Sequence, residues 1–315
     1  MIGISTCWWK TPSFCGDEKV DDILGLGFEG IELEYRITNA MYRQMKPLLR
    51  GRLRVLSIHN YFPVPENQRG QEGSGDYFLL SSTDEEEQTL AIKYTIRTIE
   101  HAHDLQAQAV VLHLGCVEMK NPFDRFKSTY ASGKIHQPEG IRLREEQRAI
   151  RCEKCQKSLD AVLFSLERLN REAEKREVSL GIENRYYFHE LPNFEEIGII
   201  LKEFEGGNVR YWHDVGHAAV HENLGLLRQK DLLNRYGDSM LGIHLHDANG
   251  LDDHFAPGQG MVDYSMITPF LKPSTLQIFE VHPKVPRPDV AAGLAFLKDR
   301  VPSEIGSLQA LGNKE

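Results

Sequence analysis

The chain has 315 residues, of which 41% are hydrophobic, so it is long enough to bury a large core in one domain or two. Its 37 Lys and Arg residues stand against 46 Asp and Glu residues, giving a net charge of -9. This acidic balance disfavours nucleic acid and anionic membrane surfaces as partners, and no apolar run approaches the roughly 20 residues that a membrane helix needs.

Short apolar runs and helical patterns alternate from the N-terminus onward. The first part of the chain reads in order as strand Ile2–Thr6, helix Val20–Leu26, strand Gly30–Glu34, helix Asn39–Arg50 and strand Val55–His59. The long segment Asn60–Ser82 is rich in Gly, Pro and polar residues, which is typical of a lid or a disordered loop. A helix from Thr83 to about Leu105 and a strand at Ala109–His113 follow it.

The second half of the chain continues the alternation. A second long loop is expected at Gly115–Gly140, before a charged helix at about Arg142–Arg176 whose charges form a solvated face. The remaining predicted elements are strand Leu180–Asn184, helix Asn193–Phe204, strand Val209–Asp214, helix Leu224–Tyr236, strand Leu241–His246, strand Leu276–Val281 and helix Pro288–Asp299. Ser303–Glu315 reads as a loose tail.

Eight strands that alternate with helices predict a parallel sheet with helical crossovers, and eight such units favour a closed (β/α)8 TIM barrel. We expect a single barrel domain at 1–302 and a tail at 303–315. An open doubly wound sheet is the alternative. It is disfavoured because no glycine-rich phosphate loop follows the first strand.

The strands end in residues that bind metals. His244 and His246 share one face of their strand, because side chains two apart point the same way. Glu183, Asp214 and Glu280 end three other strands. Zinc and manganese accept such a mixture of imidazole and carboxylate, and consecutive barrel strands are neighbours, so we expect Glu183, Asp214, His244 and Glu280 to bind one ion. Any one of them alone is more simply a solvated strand-end residue.

Further polar residues are expected at the same mouth, each with a structural alternative. The candidates for a second metal or for substrate are His59, His113, His217, Asp252 and His254. Arg185 and His246 are candidate substrate contacts, although a salt bridge or a supporting position explains them equally well. Trp8 and Tyr61 are candidate pocket walls, and rim packing is at least as good an account of both.

The five cysteines are odd in number and scattered, so a disulfide framework is not expected. Cys152 and Cys155 form a lone CxxC inside a helical pattern, and we interpret them as ordinary helix residues. Met1–Ser5 reads as a strand and not as a signal peptide, which favours a cytoplasmic setting. Exposed barrel faces often dimerise, so a homo-oligomer is an open expectation.

Several motifs resemble the xylose isomerase-like TIM-barrel superfamily, which also contains endonuclease IV. They are GIENR around Glu183, WHDVGHA around Asp214 and His217, HLHD at His244, DDHFAPGQG at Asp252–Gly260 and FEVH at Glu280. The resemblance implies that Glu183, Asp214, His244 and Glu280 hold one Mn, Co, Mg or Zn ion. It also implies that Glu183 and Glu280 shuttle a proton and that His217 contacts substrate.

The resemblance leaves two enzymatic hypotheses. The first is a divalent-metal-dependent isomerase or epimerase of carbohydrate metabolism, which acts on a small sugar, polyol or related hydroxy-carbonyl compound by metal-stabilised enediolate proton transfer. The second is an endonuclease IV-like multi-zinc phosphodiesterase, because His59, His113, His217, Asp252 and His254 match its fuller ligand set. The acidic balance and the sequence after His59 fit a small-molecule site better. A non-catalytic ligand-binding barrel is a further alternative, which the intact pair of glutamates disfavours.

Overall fold

The apolar strand segments close into one parallel barrel, as the sequence predicts. The computed structural model describes residues 1–9, 16–49, 52–66 and 74–300, so the predicted tail at 303–315 lies outside the described residues. Eight strands form the barrel in the order β1-β10-β7-β6-β5-β4-β3-β2. They are β1 Ile2–Ser5, β2 Gly30–Leu33, β3 Arg54–His59, β4 Ala109–Leu112, β5 Ser179–Glu183, β6 Val209–Asp214, β7 Met240–Leu245 and β10 Leu276–Phe279. A hairpin of β8 Asp247–Asn249 and β9 Asp252–Phe255 follows β7.

Helices connect the strands and cover the outside of the barrel. They are α1 Gly16–Leu26, α2 Asn39–Leu49, α3 Glu85–Asp104, α4 Phe123–Ala131, α5 Pro138–Lys175, α6 Phe194–Glu203, α7 Val215–Asn223, α8 Gln229–Tyr236, α9 Tyr264–Ile267 and α10 Arg287–Lys298. Among the described residues, short 3-10 turns lie at Thr6–Trp8, Gly237–Ser239 and Thr268–Phe270. Within the described residues, no helix combines the length and the apolar character needed to cross a bilayer.

Three of the sequence predictions were wrong in detail. The loop expected at Gly115–Gly140 contains α4, and α5 begins at Pro138, where proline suits the first helical turn. The helix expected at Leu224–Tyr236 begins only at Gln229, as α8, and a separate helix, α7, precedes it at Val215–Asn223. The prediction missed α7 because it starts immediately after β6, with Asp214 as its N-cap accepting from the His217 N–H at 2.7 Å. The β8–β9 hairpin was also not expected.

An apolar layer fills the barrel directly below the strand ends. Trp212, Gly242 and Ile278 each lie two residues before a predicted metal ligand, so their side chains share the interior face. A Cβ on Gly242 would lie 2.2 Å from the Trp212 ring, which shows that glycine makes room for this indole. Trp212 is fully buried and packs edge-on against His244 at a centroid distance of 5.1 Å. This apolar layer therefore packs directly beneath the predicted metal ligands.

Candidate active site

Four ionisable side chains meet at the carboxyl ends of β5, β6, β7 and β10. Nδ1 of His244 lies 2.8 Å from Oε1 of Glu183, 3.4 Å from Oδ2 of Asp214 and 2.9 Å from Oε2 of Glu280. One ligand atom from each of the four lies within 4.8 Å of the others, and all four residues are buried. Because the four strands are consecutive in the barrel, the strand order itself gathers these groups.

The surroundings of this cluster keep its carboxylates ionised. Burial raises the pKa of Glu183, but Arg185 and hydrogen bonds from His113 and His244 outweigh burial and hold that pKa well below its usual value. Burial also opposes ionisation of Asp214, and the neighbouring His217 and His246 keep its pKa low. The pKa of Glu280 is lowered against burial, chiefly by His244. Three anions therefore surround one imidazole at neutral pH.

The donor set fits a divalent cation. Three carboxylate oxygens and one imidazole nitrogen are ligands that zinc and manganese accept. Buried carboxylates this close together repel one another unless positive charge lies between them. Burial lowers the pKa of His244, yet Glu280 and Glu32 raise it well above its usual value. The point faced by Nδ1 therefore attracts positive charge strongly.

Arg185 and two histidines surround the other oxygen of Glu183. Arg185 Nη1 donates to Oε2 of Glu183 at 2.5 Å, and His113 Nε2 lies 3.1 Å from the same oxygen. His59 lies on the same side, with its Nε2 4.0 Å from that oxygen. His59, His113 and Glu183 have the spacing of a metal site, but the Arg185 guanidinium already supplies positive charge there.

Three histidines and an acid border the opposite side of the cluster. His217 belongs to α7, His246 follows β7, and Asp253 and His254 belong to the β8–β9 hairpin. His246 Nε2 lies 3.0 Å from both carboxylate oxygens of Asp214, and its Nδ1 accepts from the backbone N–H of His254 at 2.9 Å. His217, Asp253 and His254 form a further group with metal-like spacing. Asp252 is exposed and lies outside this group, whereas its neighbour Asp253 belongs to it, so a role for Asp252 stays a prediction.

The comparison that decides the family uses almost the whole length of the chain. A family model described as a xylose isomerase-like TIM barrel matches residues 20–300. The chain belongs to this family. Its members share the barrel that the described strands form.

This chain resembles several solved protein structures at low sequence identity. A crystal structure of a D-tagatose 3-epimerase-like protein is 20% identical, with a TM-score of 0.62 over 95% of this chain and 96% of that one. A D-psicose 3-epimerase from Clostridium cellulolyticum H10 is 13% identical, with a TM-score of 0.66 over 96% and 99%. An E. coli 3-keto-D-glucoside 4-epimerase is 16% identical, with a TM-score of 0.64 over 95% and 98%. At these identities the likeness concerns the fold.

An uncharacterized protein from Methanocaldococcus jannaschii is 29% identical over 123 residues. The match takes in 36% of this chain and 39% of that protein, so the chain spans well under half the length of the curated relative that it matches.

Two predicted pocket walls differ in position within the xylose isomerase-like barrel. Trp8 is half-buried and its indole N–H donates to the Val285 carbonyl at 2.9 Å, which fixes the ring where the loops after β1 and β10 meet. Tyr61 is fully buried and its hydroxyl donates to the Phe78 carbonyl at 2.5 Å. Tyr61 therefore packs inside the protein, and its role as a pocket wall stays a prediction.

Sequence reasoning missed three acids of the site. Glu32 on β2 is fully buried and lies 3.3 Å from Nε2 of His244. Asp76 lies in the segment predicted as a lid, 3.0 Å from Nδ1 of His113. Asp253 lies beside the predicted Asp252 and groups with His217 and His254. A signal existed for Glu32 alone, since a lone acid at an inward position of an apolar barrel strand needs a buried partner.

Proposed function

We propose that the chain is a divalent-metal-dependent isomerase or epimerase of a sugar, polyol or related hydroxy-carbonyl compound. The observation that supports the proposal best is the gathering of Glu183, Asp214, His244 and Glu280 around one buried point. Two glutamates within that cluster give a proton acceptor and a proton donor beside one substrate position. Fold-level likeness to sugar epimerases agrees with the proposal but does not by itself establish function.

Glu183, Asp214, His244 and Glu280 are the residues that would hold the ion. When bound there, a Mn, Co, Mg or Zn ion would polarise adjacent oxygens of the substrate and acidify the neighbouring C–H. One glutamate then takes the proton from carbon and the other returns a proton to the opposite face or to the next carbon. The lowered pKa values favour the ionised form of both carboxylates, so the glutamate that returns a proton must first receive one. For Glu183, protonated His113 would supply it, since its Nε2 lies 3.1 Å from the carboxylate, and the proton taken from carbon would pass to solvent.

The two glutamates are not equivalent. The second oxygen of Glu183 receives Arg185 and His113, which stabilise its anion and make it a weaker base. Among the described residues, the Glu280 carboxylate forms its ion pair with His244, and His246 and His254 also lie close to it, but no guanidinium contacts it. We therefore assign the initial proton abstraction to Glu280. Arg185 and His113 orient Glu183, and His217, His246 and Trp8 border the space left for substrate.

The proteins with similar folds suggest which substrates to test first. They include a D-psicose 3-epimerase with D-tagatose, a D-psicose 3-epimerase in the presence of D-fructose and an L-ribulose 3-epimerase, and all four sugars are ketoses. A ketose presents a carbonyl beside a hydroxyl-bearing carbon, which is the arrangement that the proposed site would act on. We therefore propose a small hydroxy-carbonyl sugar as the partner of this site.

A multi-zinc phosphodiesterase is the second candidate, and one observation favours it. Within the described residues, three more groups have metal-like spacing beside the central one, namely His59–His113–Glu183, His217–Asp253–His254 and His246–His254–Glu280. The Arg185 guanidinium argues against a full metal set, because it lies 2.5 Å from the Glu183 oxygen that a second ion would share. The net charge of -9 also works against binding DNA.

Hydrogen exchange at carbon tests the proposal directly. Metal-loaded protein is incubated in D2O with D-tagatose, D-fructose, D-psicose and L-ribulose, and NMR follows the loss of the C–H signal beside the carbonyl. The wild-type protein should catalyse hydrogen exchange at carbon in at least one ketose, and Glu280→Gln should catalyse it about 10²- to 10⁴-fold more slowly. Glu203→Gln, which changes an exposed residue of α6, is the matched control and should behave as wild type. Absence of exchange with every ketose, or full exchange by Glu280→Gln, would contradict the proposal.

A further inference from the structure

Glu32 reaches His244 from across the barrel. β2 and β7 are separated by β1 and β10, so this contact joins strands that are not neighbours. Oε2 of Glu32 lies 3.3 Å from Nε2 of His244, while Nδ1 of the same ring faces Glu183, Asp214 and Glu280. The two nitrogens of His244 therefore face different carboxylates.

The position of Glu32 is itself fixed. The Ser57 hydroxyl donates to Oε2 of Glu32 at 2.8 Å, from the neighbouring strand β3. Glu32 is fully buried, and its Oε1 has no hydrogen-bond partner among the described residues. A buried carboxylate with an unpartnered oxygen is costly for the fold, so its retention calls for a role beyond packing.

The hydrogen-bond chemistry of His244 gives that role. Neutral imidazole carries one N–H, and a carboxylate only accepts, so Glu32 stabilises the form with the proton on Nε2. That form directs the Nδ1 lone pair at the point where the three carboxylates meet. The Trp212 edge limits rotation of the ring from below. We propose that Glu32 is a positioning residue that holds His244 in the tautomer and orientation needed to bind the metal ion.

This inference rests on the proposed function, and metal affinity tests it without any substrate. Metal-stripped protein is titrated with Mn²⁺ by calorimetry. Glu32→Gln should bind Mn²⁺ about 10- to 100-fold more weakly than wild type, the usual cost of losing a partner that orients a metal-binding histidine. Glu32→Asp keeps the charge but shortens the reach, and it should also bind more weakly. Thermal melts in EDTA establish that each variant is folded.

Glu34→Gln is the matched control. Glu34 directly follows the same strand and is also buried. Its carboxylate forms an ion pair with Arg36 at 2.9 Å and not with a proposed metal ligand. Its Mn²⁺ affinity should equal that of wild type. Unchanged affinity in Glu32→Gln, or equal losses in Glu32→Gln and Glu34→Gln, would overturn the role of Glu32. Wild-type affinity in Glu32→Asp would overturn it too, since charge and not position would then matter. Failure of the wild-type protein to bind any divalent metal would instead overturn the proposed function together with this inference.

Discussion

Arg185 places a buried positive charge beside the proposed metal site. It is buried, and besides Glu183 it contacts Glu190 at 3.2 Å and Asp76 at 3.8 Å. Burial lowers the pKa of Arg185, but these carboxylates raise it far above its usual value, so the guanidinium is a permanent charge. Such a fixed charge beside His59 and His113 repels a metal ion, and the mouth is left with one site of strongly negative character.

Removal of that charge should open a second metal site. Arg185→Met should take up two Zn²⁺ ions per chain where the wild-type protein takes up one, because His59, His113 and Glu183 already have the spacing of a metal site. The ratio is measured by mass spectrometry of the metal content after dialysis against excess zinc. Arg36→Met, which removes another mouth arginine that pairs with Glu34, should keep one ion. One ion in Arg185→Met would show that the histidines do not form a latent site.

The site residues that could be predicted from the sequence are those that interrupt the regular pattern of a strand. Glu183, Asp214, His244 and Glu280 interrupt apolar runs, and the structure brings them together, while their roles as ligands stay predictions. Asp76 gave no such signal because it lies in an irregular segment whose path follows from long-range contacts. The choice between adjacent acids, such as Asp253 and Asp252, depends on the register of a hairpin that the sequence did not reveal.

The β8–β9 hairpin is the element that supplies the outer wall of the site. Asp247, the first residue of β8, organises it through one carboxylate, which accepts from the N–H groups of Ala248 and Gly258 at 2.9 Å and of Val262 at 3.0 Å. Gly260 must approach this carboxylate closely, since a Cβ there would lie 2.3 Å from its Oδ1. The hairpin was missed because these contacts, and not a regular alternation of residues, hold it in place.

Loss of the Asp247 carboxylate should loosen this wall and destabilise the fold. Asp247→Ala leaves three backbone donors without their acceptor, and we expect the free energy of unfolding to fall by about 2–3 kcal/mol. Urea unfolding followed by circular dichroism measures the change. Asp252→Ala, at an exposed position of the same hairpin, should change stability by less than about 0.5 kcal/mol. Equal effects of the two substitutions would refute the anchoring role of Asp247.

For the whole molecule, alternation of apolar strands and helices predicted the closed barrel correctly because the architecture follows from chain order. β5, β6 and β7 succeed one another in the sequence as in the barrel, so proximity of their ends needs no long-range information. Contacts between strands that are not neighbours in the barrel cannot be predicted in this way. The bond between Glu32 and His244 depends on barrel diameter and on the packing of Trp212 beneath it, which local periodicity does not encode.

The whole barrel should be more stable with its ion than without it. An ion held by β5, β6, β7 and β10 binds the folded chain and not the dispersed ligands of the unfolded chain, so stability rises with ligand concentration. At 100 times the dissociation constant the gain is about 2.7 kcal/mol, which should raise the melting temperature by several degrees. Thermal melts of metal-stripped protein with added Mn²⁺ or with EDTA measure the shift. Glu280→Gln, with one ligand altered, should lose most of it. Identical melting temperatures of the wild-type protein in both conditions would mean that these four side chains do not hold an ion.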